Sequence, residues 1–196
     1  MRFDHFSFLA PIYDRVIRTP NMDRLRSLVA LTPTDRLLDL GGGTGRILCH
    51  LHNGEAGAWI VDPALGMLRE AQGKGLGTCQ GLAEDAPFRD GAFTKIIAVD
   101  SYHHMPDQDG AVRELLRLLA PGGRLVVEEP DIRRFTVKLI ALGEKLALMT
   151  SHFRTAEHVA ERFATPETSV SVHVGSHMYW VVVDKAMQAG PRRNRG

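Results

Sequence analysis

Short unbroken apolar runs recur along this chain, and between them lie stretches whose apolar residues return every three or four positions. The runs Arg36–Leu40, Ala58–Asp62, Lys95–Asp100 and Arg124–Glu128, with the shorter Thr78–Gly81, read as buried strands. The 3.6-period stretches read as helices: Ala111–Ala120 with Val112, Leu115, Leu116 and Leu119 on one face, and Asp131 to about Met149 with Ile132, Phe135, Leu139, Leu142 and Leu146. Ala156–Phe163 reads as a further helix. Two alternating segments, Ser169–Val174 and Met178–Val183, form a terminal hairpin turned at Gly175. Strands that alternate with helices imply an α/β protein with a doubly wound, mainly parallel sheet.

One junction between a strand and a helix carries chemistry. The run Arg36–Leu40 carries Asp39 one residue before its end, and Gly41, Gly42, Gly43 and Gly45 follow before the helical Ile47–Leu51. Glycines at 41, 43 and 45 permit positive φ and remove the Cβ atoms that would hold a ligand off the main chain, while a helix start offers unpaired N–H groups. A polar or anionic ligand is expected there. The dinucleotide fingerprint G-x-G-x-x-G would need a third glycine where Arg46 stands. Asp62 ends the next strand, where a carboxylate can accept the hydroxyls of a ribose.

Composition narrows the field. The 196 residues suit one α/β domain, and a formal net charge of +1 gives no global field toward nucleic acid. No stretch approaches the ~18 apolar residues of a membrane span, and the N-terminus lacks an apolar signal core, so a soluble cytoplasmic protein is expected. Cys49 and Cys79, without a C-x-x-C pattern, are expected to be reduced core residues. No H-E-x-x-H or cysteine set points to a metal.

The spacing D-x-G-x-G-x-G from Asp39 to Gly45 resembles motif I of the class I S-adenosylmethionine (AdoMet) methyltransferases. The likeness extends further. Phe6–Asp14, ending Ala10-Pro11-Ile12-Tyr13-Asp14, resembles the N-terminal lid of the methyltransferases of ubiquinone and menaquinone biosynthesis. Asp62–Leu68 resembles D-x-S-x-x-M-L, Leu82–Phe93 resembles G-D-A-E-x-L-P-F with its following turn, and Asp100–Asp107 resembles motif IV with L-H-H-x-x-D. Leu82 departs from the pattern, standing where an acid is usual.

The resemblance implies a Rossmann-like seven-stranded sheet ordered 3-2-1-4-5-7-6, strand 7 antiparallel, with helices on both faces. It implies a lid segment over residues 1–35, an AdoMet-binding domain over 36–185 and a disordered tail over 186–196. Asp39, Gly41, Gly42, Gly43 and Gly45 would hold the methionine end of AdoMet, Asp62 the ribose, and Pro63, Met67, Ala83 and Glu84 the adenine. Asp100 would lie nearest the sulfonium, with Tyr13 closing over it. His103 or His104 would take the acceptor's proton, with S-adenosylhomocysteine as product. Nucleic-acid amino methyltransferases carry (D/N/S)-P-P-(Y/F) in motif IV, which this chain lacks, so methylation of a nucleic-acid base is disfavoured; the likeness to the quinone-biosynthesis enzymes, with the apolar covering helices, implies a small aromatic or lipophilic acceptor. The broad apolar surface of the 131–149 helix raises a homodimer contact as one option. Two other readings stay open: an AdoMet-binding accessory protein without turnover, and an NAD-dependent oxidoreductase.

Overall fold

A computed structural model describes residues 5–16, 20–51, 57–134, 137–138 and 151–187. Its strands are β1 (Leu37–Leu40), β2 (Ala58–Asp62), β3 (Gly77–Gln80), β4 (Phe93–Val99), β5 (Leu119–Pro130), β6 (Thr168–Val174) and β7 (Met178–Lys185). They form one seven-stranded sheet in the order β3-β2-β1-β4-β5-β7-β6. Leu38 of β1 lies between Trp59 and Ile96 of its parallel neighbours, whereas β7 runs antiparallel to both β5 and β6. The expected topology is the observed one.

The apolar runs are unbroken because both faces of the sheet are covered. On one face Leu38, Leu40, Ile96, Ala98, Leu125 and Val127 pack with α5 (Gln108–Leu118) and α6 (Ala156–Phe163), which supply Ala111, Leu115, Val159 and Phe163. On the other, Leu37, Ile60, Ile97 and Val126 meet α2 (Met22–Val29), α3 (Arg46–Leu51) and α4 (Leu65–Gly73) through Leu25, Val29, Leu48, Leu68 and Ala71. Each large apolar side chain buried this way contributes about 1.5–3 kcal/mol. Residues 1–35 therefore divide: α2 is a core helix, and only α1 (His5–Val16) lies where a lid could. The chain leaves β1 to build β2 and β3 on one side and returns for β4 on the other. This reversal opens a crevice at the carboxyl ends of β1 and β4.

Several local expectations change. Helix α5 begins at Gln108, earlier than the apolar period indicated, because the Asp107 carboxylate accepts from the Gly110 N–H and caps it. It ends at Leu118, and the chain is already extended at Leu119. Gly122, at φ +75°, serves a β-bulge between the Phe93/Leu119 and Lys95/Arg124 pairs. Gly175 has no positive φ; a Cβ there would lie 3.0 Å from the Trp180 ring, so the glycine makes room for that indole. Cys49 is exposed, since Ile47, Leu48 and Leu51 form the inward face of α3; Cys79 is half-buried, and both are free thiols.

At Asp131 the side chain accepts from the Arg133 N–H at 3.0 Å. Most of the 131–149 helix, its proposed dimer surface and the tail beyond residue 187 lie outside the described residues. No helix among the described residues is long and apolar enough to cross a membrane.

Candidate cofactor and acceptor cleft

The crevice holds a cleft of about 890 Å³, counting its open mouth. Its floor is the glycine turn, where Gly41, Gly43 and Gly45 take φ of +72°, +54° and +75°. Gly42 is dictated by a neighbour: a Cβ there would fall 2.5 Å from Asp39 Cγ. With that space clear, the Asp39 carboxylate folds back under the turn. It is buried, and its Oδ2 has no hydrogen-bond partner among the described residues. Burial, reinforced by the Asp62 charge and opposed by Arg46, pushes its pKa up to about 7. One strand over, Asp62 accepts from the Gly43 N–H at 3.0 Å and from the Ala64 N–H at 2.8 Å, so this carboxylate ties the turn to β2.

Helix α1 closes one side. The Ser7 hydroxyl accepts from the Gly66 N–H, and a Cβ on Gly66 would lie 2.7 Å from Ser7 Cα. At the other end of α1, Asp14 meets Lys74 at 2.5 Å and the Thr44 hydroxyl at 2.5 Å, while Lys74 also donates to the Thr44 carbonyl. Burial opposes ionisation of Asp14, but these hydrogen bonds outweigh it and hold its pKa below the ordinary value. Tyr13 faces the cleft, and desolvation with the nearby Asp100 charge pushes its phenol up to about 12, so α1 presents a neutral hydroxyl.

Beyond β4 the cleft continues along Asp100, Ser101, His104, Met105 and Pro106. Asp100 adopts φ +54°, a strained value for a residue with a Cβ. The Ser101 hydroxyl donates to the Leu40 carbonyl, which seats this loop beside the glycine turn. His104 lines the cleft and its Nδ1 lies 3.3 Å from Ser151 Oγ. His103 does not line it. Its ring is 2% exposed, bonded through Nδ1 to Glu129 at 2.6 Å and stacked on Phe153.

Tyr13, Asp39, Gly41, Gly42, Gly43, Asp62, Pro63, Met67, Ala83, Glu84, Asp100 and His104 thus line one cleft. Gly45 stays behind it, because a Cβ there would strike Leu76 and Ile60; its bareness serves packing of the turn against β2. Thr44, Arg46, Ile47, Ser101, Met105 and Pro106 also line the cleft and were missed. Their closeness in sequence to the two motifs was the only signal for them. Leu82 lines it too, and Glu84 keeps one buried oxygen without a partner while the other accepts from the Asp107 N–H. Among the described residues no group of three or more acidic, histidine or cysteine side chains could hold a metal ion.

A sheet in this order, with a glycine turn and the next strand's carboxylate facing one crevice, defines a class I AdoMet-dependent methyltransferase fold. Residues 38–127 match the family described as "Methyltransferase domain". A demethylmenaquinone methyltransferase of Mycobacterium tuberculosis is 31% identical over 168 residues, 79% of this chain and 70% of the relative. One from Thermus thermophilus is 37% identical over 140 residues, 63% of each chain. The crystal structure of a SAM-dependent methyltransferase from Thermotoga maritima, titled a possible histamine N-methyltransferase, superposes with a TM-score of 0.77 at 21% identity, covering 92% of this chain and 98% of that one. The chain belongs to the class I AdoMet-dependent methyltransferases of the menaquinone and ubiquinone type. It spans about half the length of several other curated relatives that it matches.

Proposed function

We propose that this chain binds AdoMet in the cleft and passes its methyl group to a small aromatic or lipophilic acceptor held against His104. The observation that carries this reading is the Asp39 carboxylate, buried with one oxygen unpartnered beneath a bare glycine turn. Such a group is costly in a ligand-free fold and is matched by an ammonium donor. AdoMet, when bound, supplies an electrophilic methyl on a sulfonium that leaves as a neutral thioether.

The chain's own residues then bind, orient and accept a proton. Asp39 would hold the aminium and Arg46 the carboxylate of the methionine end. Asp62, already fixed by two backbone amides, would accept the ribose hydroxyls. The Ala83 amide and the unpartnered Glu84 oxygen would meet the adenine edge, with Pro63 and Met67 at its faces. Tyr13 would exclude water from the lid side, and His104 would take the acceptor's proton. The relatives' names make a reduced demethylmenaquinone the first acceptor to try, and Ile47, Met105 and Pro106 offer the apolar wall such a ring needs.

Calorimetry with AdoMet, S-adenosylhomocysteine and NAD tests the reading. The first two are expected to bind and NAD is not; NAD binding without AdoMet binding would overturn it. AdoMet binding with no S-adenosylhomocysteine formed from any acceptor pool would leave a binding role in place of an enzyme.

A further inference from the structure

Glu129 sits at the end of β5 with its carboxylate buried, and it takes three donors from three consecutive residues of the loop after β4. Its Oε1 accepts from the Ser101 N–H at 3.0 Å and the Tyr102 N–H at 2.8 Å, and its Oε2 lies 2.6 Å from His103 Nδ1. His104 follows directly, its N–H bonded back to the Ser101 carbonyl. The same unit holds the segment Ser151–Phe153. The His103 carbonyl accepts from the His152 N–H, the His103 ring stacks on Phe153, and Ser151 Oγ reaches His104 Nδ1. From α5, the Gln108 amide donates to both the Tyr102 and His152 carbonyls and locks the arrangement.

We infer that Glu129 is a positioning residue for proton transfer at His104: through its bonds to Ser101, Tyr102 and His103 it turns His103 out of the cleft and aims His104 into it. This rests on the reading of the cleft given above. Glu129 does not line the cleft, so its effect must appear in the chemical step and in the state of the His103 ring. With a Glu129 carboxylate oxygen as the acceptor, His103 Nδ1 carries the proton. In the Glu129→Gln variant the new side-chain amide could still accept from the two backbone N–H groups, but its NH2 would face Nδ1 and drive the ring to the other tautomer.

The test uses Glu129→Gln and His103→Asn in the full chain, because the Asn amide nitrogen falls near the Nδ1 position and keeps a donor for Glu129. Nitrogen-15 spectroscopy of the His103 ring, without cofactor or acceptor, is expected to show Nδ1 protonated in the wild type and unprotonated in Glu129→Gln. With AdoMet and a single-prenyl demethylmenaquinol as probe, Glu129→Gln is expected to lose about 10²-fold in kcat, the scale of a small misplacement of a reacting group. Its acceptor KM and its S-adenosylhomocysteine affinity should match the wild type, and His103→Asn should retain turnover. An unprotonated Nδ1 in the wild type, full turnover in Glu129→Gln, or a dead His103→Asn would each overturn the inference. Wild-type protein that binds no S-adenosylhomocysteine would instead end the reading of the cleft, and the ring spectrum would still decide the bond. Should Glu129→Gln not fold, the wild-type spectrum and His103→Asn decide alone.

Discussion

At the glycine end of the cleft, the groups that face the ligand come from main chain and from side chains close to one turn; at the histidine end, the group that faces it is held by side chains distant in sequence. Asp39, Gly41 to Gly43, Thr44 and Arg46 lie within eight consecutive residues, and one carboxylate from the adjacent strand completes them. His104 depends on Glu129 from β5, Gln108 from α5 and the segment 151–154. On the proposed function, the first construction would recognise one ligand with parts that fold locally. The second can change its acceptor by altering partners far from the reacting atoms, which is how one fold comes to serve many substrates.

The sharpest way to break this comparison is at the turn. Gly43→Val places a branched side chain at φ +54° and into the cleft, where the site of a Cβ has only Met67 Sδ and Asp62 Oδ2 nearby, at 3.8 and 3.9 Å. S-adenosylhomocysteine binding by calorimetry is expected to vanish while the fold melts cooperatively; undiminished affinity would mean the turn does not hold the ligand. Next in size is His104→Gln, which keeps a polar side chain at the cleft wall and removes the proton acceptor. It should cost about 10²–10⁴-fold in kcat with cofactor affinity unchanged. Loss of cofactor binding in that variant would show that the two ends are one unit.

Smaller effects sharpen the picture of the two carboxylates. Asp62→Ala removes the ribose acceptors and leaves the Gly43 and Ala64 amides without their partner, so AdoMet should weaken by about 1.5–3 kcal/mol. Asp39→Asn separates binding from stability. The folded-state pKa near 7 lies above the ordinary 3.8, so protonation favours the ligand-free fold. That contribution is fully present below pH 3.8 and is lost as the pH climbs through 7. The neutral variant escapes the loss. It should melt about 2–4 °C higher than the wild type at pH 8, the shift given by about 1 kcal/mol in a domain of this size, with the gain shrinking toward pH 5. Its AdoMet affinity should fall at the same time, and a lower melting temperature at pH 8 would show that Asp39 is paired in the ligand-free fold.

The same contrast explains what could be read without coordinates. The strands, the glycine turn and the place of Asp62 at the end of β2 follow from local period and backbone freedom, whereas the order of the sheet came from the family resemblance, and each is found in the structure. Choosing between His103 and His104 was beyond reach, because the choice is made by Glu129, whose chain neighbours say only that a strand ends there. Cys49 was misplaced for a milder reason: a six-residue helix shows too little period to reveal its outer face. Gly45 was grouped with the ligand glycines because spacing alone cannot tell a bare surface from a packed one.

The lid is the smallest lever and lies between the two constructions, since Asp14, Lys74 and Thr44 join α1 to the turn and to the residue after α4. Both ionic side chains are about one-third exposed, so the pair contributes about 0–1 kcal/mol and Lys74→Met should barely move the melting temperature. Its effect belongs in dissociation. Released S-adenosylhomocysteine, followed by stopped-flow, should leave the variant no more than about fivefold faster than the wild type, the factor that 1 kcal/mol supplies. The pH dependence has a fixed sign. Asp14 titrates below 3.8, so the latch is intact across pH 5–8 and is lost only as the pH falls through that lower value. Wild-type release should therefore be flat between pH 8 and 5 as far as this latch governs it. A release rate in Lys74→Met more than tenfold above the wild type would mean that the lid, rather than the turn, retains the ligand, and the glycine end would then depend on distant side chains as much as the histidine end does.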